Sequence, residues 1–263
     1  MVEPLEVLRI LAVSYAFVVA VILFDRKFSV GLWRELLISS FLSLLQLILI
    51  GFVILFFLKL KHPVYNFLFV LFFYFNASLI ALRRFSLPFS RLKTFFVIFV
   101  SISTLSTLAL FLLYLAGILK PKATSIIPLA GIVTAAGMRS LSLAFKYYTT
   151  RLRDLEDIIL GMAALGAPDL ELFKFVFRQL IDDITVPVRD MFRSAGIVHI
   201  PGVMVGLLLA GVFPIKAALV QFAILSTMVF QFTFTPAFAL ILLVLIFGLK
   251  FPYREIWNGK GDS

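Results

Sequence analysis

The feature that most constrains this chain is the recurrence of long apolar runs separated by short clusters of charge. A hydrocarbon core about 30 Å thick takes about 20 apolar residues per helical crossing. Seven runs approach or exceed that length: Leu8 to Phe24, Leu36 to Leu58, Val64 to Leu82, Phe95 to Leu119, Ile126 to Phe145, Ala195 to Phe213 and Ala217 to Leu249. The composition agrees, with 62% hydrophobic and 14% charged residues against roughly 45–50% and 25% in a soluble domain. The expected fold class is therefore all-α, a polytopic membrane protein with about seven transmembrane helices.

Charge orients the spans. The head of the first run carries Glu3 and Glu6 against Arg9, no small-residue cleavage site follows Phe24, and Arg26 and Lys27 come after the apolar stretch. This reads as an uncleaved anchor rather than a signal peptide. Assigning alternate loops to opposite sides places 17 of the 24 lysines and arginines on one face, from Arg26 and Lys27 through Arg83, Arg84, Arg153 and Arg193 to Lys250, Arg254 and Lys260. Six fall on the other face (Arg9, Lys59, Lys61, Lys120, Lys122 and Lys216), and Arg139 lies inside a span. The positive-inside bias predicts the N-terminus outside and the C-terminus in the cytoplasm. Topology thus accounts for the net charge of +10, and nucleic acid is not needed as a partner.

One connection is long. Lys146 to Ser194, between spans five and six, is the only stretch long enough to fold by itself and is expected as a cytoplasmic loop within one permease-sized membrane domain, 1–263. Leu155, Ile158, Ile159, Met162 and Leu165 recur at helical spacing, Gly166-Ala167-Pro168 breaks the run, and Leu170, Phe173, Val176, Phe177, Leu180, Ile181 and Ile184 form a second stripe that Pro187 closes. The opposite faces are charged, so both helices are expected outside the bilayer core. The last apolar run, 33 residues, is expected to cross once with a tilt or a bend at Pro236, because a second crossing would carry Lys250, Arg254 and Lys260 outside.

Catalytic chemistry finds little footing. The 14 acidic residues fall outside the spans, the histidines are His62 and His199, and there is no cysteine, so neither paired carboxylates in a span nor metal-ligand spacing is present. No phosphate-binding glycine loop occurs, since Gly259-Lys260-Gly261 lacks the first glycine and the hydroxyl residue. No catalytic residue, cofactor or metal site is expected, and any ATP would be hydrolysed by another chain. Polar groups in lipid are costly and face a bundle interior or a pathway. They are Gln46, Asn76, Arg139, His199 at the start of span six, Gln221 and Gln231. The amides bond between helices as structural glue or line a route. Arg139, 13 residues past Ile126, snorkels to the cytoplasmic headgroups or serves the route. Pro128, Pro201-Gly202, Pro214 and Pro236 interrupt spans, an arrangement suited to transport. Gly202 and Gly206 form a small-residue face for close packing or dimerisation.

Several of these residues occur together in a familiar order. Ile126-Ile-Pro-Leu-Ala-Gly131, Gly137-Met138, Leu165-Gly166-Ala167, Pro187-Val-Arg-Asp190 and Ile200-Pro-Gly-Val-Met-Val-Gly206 with Ala210-Gly211 closely resemble the FetB-type iron-export ABC permeases, a family that includes plant aluminium-tolerance half-transporters. Leu45-Gln46-Leu47 with Gly51, Phe75-Asn76-Ala77 and Gln221 extend the likeness over nearly the whole chain. The resemblance implies a permease in a cell membrane, bacterial or archaeal, that pairs with a separate cytoplasmic ABC ATPase as two permeases and two ATPases. It also implies docking on the ATPase through Leu165-Gly166-Ala167; the turn Gly166-Ala167-Pro168 between the two amphipathic helices, flanked by Leu165 and Leu170, is where that docking is expected. The acidic residue usual a few positions before that glycine is replaced by Gly161 and Met162. Three readings stand side by side: export of iron or another metal, transport of an organic anion such as a sugar nucleotide with Arg139 as counter-charge, and a membrane scaffold or receptor.

Overall fold

The computed structural model describes residues 4–59, 63–85 and 90–247. Glu3, Lys61, His62, Gly248 and Leu249 at the end of the last apolar run, Lys250, Arg254, and the tail containing Gly259-Lys260-Gly261 lie outside the described residues. Among the described residues there are nine α-helices and no strand: α1 (Pro4–Phe28), α2 (Trp33–Lys59), α3 (Pro63–Leu82), α4 (Arg91–Leu115), α5 (Ala123–Asp154), α6 (Glu156–Ala164), α7 (Asp169–Ser194), α8 (Gly202–Leu209) and α9 (Pro214–Phe247). Six are long and apolar enough to cross a membrane, namely α1, α2, α3, α4, α5 and α9. The chain is an all-α, multi-pass membrane protein.

The helices fall into two compact units, Met1–Lys61 and His62–Ser263. The first is a helical hairpin of α1 and α2 whose apolar side chains, such as Leu8, Phe17, Leu47 and Phe52, are exposed, as expected where the solvent is hydrocarbon. Its turn is held by Asp25, which is buried and accepts hydrogen bonds from the Leu32 and Trp33 amides, both at 2.9 Å. Those amides belong to the start of α2, where N–H groups have no partner within the helix and a negative charge is favoured. The Arg26 guanidinium lies over the Trp33 ring, 4.5 Å from its centroid.

In the second unit α3, α4, α7 and α9 surround α5. The buried face of α5 is built from small and branched residues, Ala130, Val133, Ala136, Gly137, Ser140, Leu141 and Ala144, which bring α9 close. A Cβ added to Gly137 would lie 3.1 Å from Gln231 Oε1. Gln231, fully buried, joins three helices: its amide nitrogen donates to Ser106 Oγ of α4 (3.4 Å), its carbonyl oxygen accepts from Thr235, and its backbone carbonyl accepts from Ser140 Oγ of α5 (3.3 Å). Polar side chains in a bundle of this kind bond across helices because lipid offers no alternative.

The structure departs from the sequence reading at four places. Ala195 to Phe213, expected as span six, forms only the eight-residue α8, about 12 Å long. Gly196 (φ 81°) and Gly211 (φ 79°) turn the chain on either side of it, and hydropathy alone does not register such turns. Span four ends at Leu115 rather than Leu119, because Gly117 (φ 71°) lets the Ile118 amide bond back to the Leu113 carbonyl at 3.0 Å. Span five continues past Phe145 to Asp154. Finally, α5 passes through Pro128, α7 through Pro187 and α9 through Pro236; each proline removes one helical hydrogen bond without ending its helix. Pro201 and Pro214, by contrast, stand at helix starts.

The amphipathic α7 is not an appendage. Leu172, Val176, Leu180, Ile184 and Val188 are fully buried and share one core cluster with side chains of α3, α4, α5 and α9. An ion pair between Arg151 and Asp183, 2.9 Å, ties α5 to α7.

Candidate functional site

Between the C-terminal end of α3, the outer face of α5 and α7 lies a cavity of about 900 Å³. Arg83 and Arg84 line it from α3's end, Arg139, Lys146 and Arg153 from α5, and Pro187 and Phe232 from α7 and α9. Ser142, Thr149 and Thr150 stand between the α5 cations, and no carboxylate is among the lining residues. Arg139, Lys146 and Arg153 are spaced seven apart, which keeps them on one side of the helix, while Gly137, Ser140, Leu141, Ala144, Tyr148 and Leu152 are buried on the other. The three cations extend over about 21 Å of helix. Arg83, Arg139, Lys146 and Arg153 form no ion pair among the described residues. Such a wall attracts anions and repels cations, and its hydroxyls supply further donors.

Of the pathway residues proposed from sequence, Arg139 alone lines this cavity. Asn76 turns back on its own helix, donating to the Phe72 carbonyl at 2.8 Å. His199 sits in the turn between α7 and α8, its Nδ1 3.0 Å from Ser194 Oγ. Gln221 is buried in α9, and its side-chain carbonyl has no hydrogen-bond partner. Gln46 is exposed on α2, in the first unit. The residues that sequence reasoning passed over are Arg83, Arg84, Lys146 and Arg153, which were counted as topology signals. The seven-residue spacing of Arg139, Lys146 and Arg153 was the visible clue.

The break between α6 and α7 presents a second feature. Leu165 is 91% exposed and Leu170 half exposed. Between them Gly166 takes φ 88°, which L side chains rarely adopt, and the Ala167 amide closes α6 by bonding to the Met162 carbonyl at 3.1 Å. Pro168 directly precedes the first residue of α7. Among the residues proposed for helix packing, Gly131 meets the Phe73 ring, 3.5 Å from where its Cβ would be. Gly202 and Gly206 have no atom within 4 Å of that point, so nothing described in this chain packs on their small face. Among the described residues no group of three or more histidines, aspartates or glutamates is placed to hold a metal ion.

Residues 8–247, almost the whole described chain, match the Uncharacterised protein family (UPF0014). The chain belongs to this family. It is 29% identical over 221 residues to the Probable iron export permease protein FetB of Escherichia coli (strain K12), covering 82% of this chain and 84% of that one. It is 26% identical over 219 residues to Protein ALUMINUM SENSITIVE 3 of Arabidopsis thaliana (83% and 79%). It is 23% identical over 217 residues to the UPF0014 membrane protein YjkA of Bacillus subtilis (strain 168) (82% and 86%). No solved structure matches. With six apolar helices and these relatives, this UPF0014 member is a multi-pass membrane protein.

Proposed function

We propose that this chain is the transmembrane subunit of an ABC exporter, working with a separate cytoplasmic ATPase, as a pair of permeases. The observation that carries the reading is the α6–α7 tip. The apolar face of α7 is buried along its length, yet the same hairpin ends in Leu165 and Leu170 exposed on either side of an open glycine turn. Solvated leucines flanking a tight turn suit insertion into a groove on a partner, and the charge asymmetry puts this tip on the cytoplasmic side.

The name of the Escherichia coli relative favours iron, or another metal, as cargo. The cavity favours a second reading. Its cations would repel a bare metal ion, so a metal would enter as a negatively charged complex, or the cargo is an organic anion such as a sugar nucleotide. The relatives' names leave less room for a scaffold or receptor.

The test is co-purification of the ATPase with tagged full-length permease, alongside cargo-stimulated ATP hydrolysis. Gly166→Glu blocks close approach but also strains a positive-φ position, so Leu165→Glu is the cleaner variant. Burial of a leucine contributes about 1.5–3 kcal/mol, and Leu165→Glu is expected to weaken association about tenfold or more while membrane insertion stays normal. Wild-type association and hydrolysis in both variants would remove the coupling assignment.

A further inference from the structure

α9 serves as a ruler for depth in the second unit. Near its C-terminal end Leu242 and Ile246 share a small cavity with Lys93 and Val97 of α4, which marks the cytoplasmic boundary by the positive charge at the start of α4. Twenty residues back, about 30 Å along the helix, is Phe222. The Phe192 ring of α7 packs on Phe222, centroids 5.5 Å apart, and Pro187 shares the basic cavity with Phe232. α7 therefore runs antiparallel to α9, with Asp183 paired to Arg151 near the cytoplasmic end of α5 and residues 184–194 reaching toward the far side of the apolar layer. Its 26 residues span about 39 Å.

The exposed face of α7 is mostly polar, interrupted by Val186 and Pro187 between Asp182 and Asp190. Glu171, Lys174, Arg178, Gln179, Asp182, Asp190 and Arg193 are exposed, at helical spacing opposite the buried stripe. Two charges are neutralised locally: Asp183 by Arg151 of α5, and Asp182 by Arg189, whose guanidinium lies 2.7 Å from the carboxylate and also donates to the Asp182 carbonyl. Lys174, Arg178, Asp190 and Arg193 form no ion pair among the described residues. Ionised side chains at membrane depth face water or protein rather than lipid. An amphipathic helix lying on headgroups does not fit either, since the apolar face of α7 is built into the bundle core beside α9.

We propose that the polar face of α7 is one wall of a water-filled path through the membrane, continuous with the basic cavity at Pro187, and that α7 is the return crossing expected of Ala195 to Phe213. The transport reading gives the path its purpose, but the test does not depend on it. The wild-type chain has no cysteine, so single cysteines report exposure to water directly. In the full-length protein in sealed membranes, cysteines at Gln179, Asp182, Val186 and Asp190 are treated with a membrane-impermeant methanethiosulfonate. Controls stand at Leu219, Phe234 and Leu245, exposed on α9, and at the buried Ile184.

Modification of Val186→Cys and Asp190→Cys at least tenfold faster than all four controls is the expected result. Val186→Cys removes no charge, so it stays informative if Asp190→Cys inserts poorly. Labelling as slow as on α9 would overturn the proposal. So would protection at both positions with a disulfide between two copies through Val186→Cys, which would show the face covered by a second chain. These outcomes are read without the ATPase, so loss of the path and loss of coupling at Leu165 are separate results.

Discussion

At Gln231 a single amide decides how tightly two helices meet. It is held by Ser106 and Thr235, and across from it α5 offers Gly137, where even a methyl group would come within 3.1 Å of the amide oxygen. That oxygen already accepts from Thr235 and cannot retreat freely. Gly137→Leu is expected to destabilise the detergent-solubilised protein by about 1–3 kcal/mol, the usual cost of overpacking, seen as a lower melting temperature. Gly206→Leu, with open space at its Cβ, should leave the melting temperature of the monomer unchanged. Equal melting temperatures for the two variants would show that α5 and α9 do not approach as closely as described. Sequence alone identified Gln231 as polar and in a span, as it did Gln46 and Asn76. It did not tell which amide finds a partner across helices, because that depends on the face of α9 that meets α4 and α5.

At the scale of elements, α5 shows one helix doing two jobs on two faces. Its small-residue side packs against the bundle, and its other side carries Arg139, Lys146 and Arg153 into the cavity. A charge-assisted hydrogen bond contributes about 1.5–3 kcal/mol, so Arg139→Ala is expected to lower transport about tenfold with insertion intact, and Lys146→Ala to lower it as well. Unchanged uptake of labelled anionic cargo into inverted vesicles would mean that Arg139 only reaches for headgroups. Six of the nine helices were legible as spans from hydropathy, with ends that moved by a few residues, and α5 ran on nine residues past the apolar run to Asp154. α6 and α7 were legible as amphipathic helices from their apolar stripes, but the short α8 and the place of α7 in the bundle core were not, for opposite reasons. The segment holding α8 is apolar throughout but is cut by two positive-φ glycines, whereas α7 has the length of a crossing but a charged face that argues against lipid. A hydropathy window averages over faces and cannot separate a helix that touches lipid from one that borders a cavity.

At the scale of the whole molecule the charge asymmetry makes a test independent of any side-chain contact. A cysteine at Lys122 is expected to react with impermeant maleimide added to intact cells, whereas cysteines at Arg84 and Asp169 are expected to react only after the membrane is opened. Labelling of Asp169→Cys, which lies outside the basic cavity, together with Arg84→Cys from outside would invert the orientation. The cations of the cavity also bear on electrical work. For export as proposed, a cargo they admit carries negative charge from an inside-negative cytoplasm, and each elementary charge crossing 100 mV in that direction releases about 2.3 kcal/mol. A bare metal cation leaving by the same route would have to be driven uphill by that amount for every charge it carries, so the lining of Arg83, Arg84, Arg139, Lys146 and Arg153 turns the membrane potential from an opponent of the pump into a second source of drive.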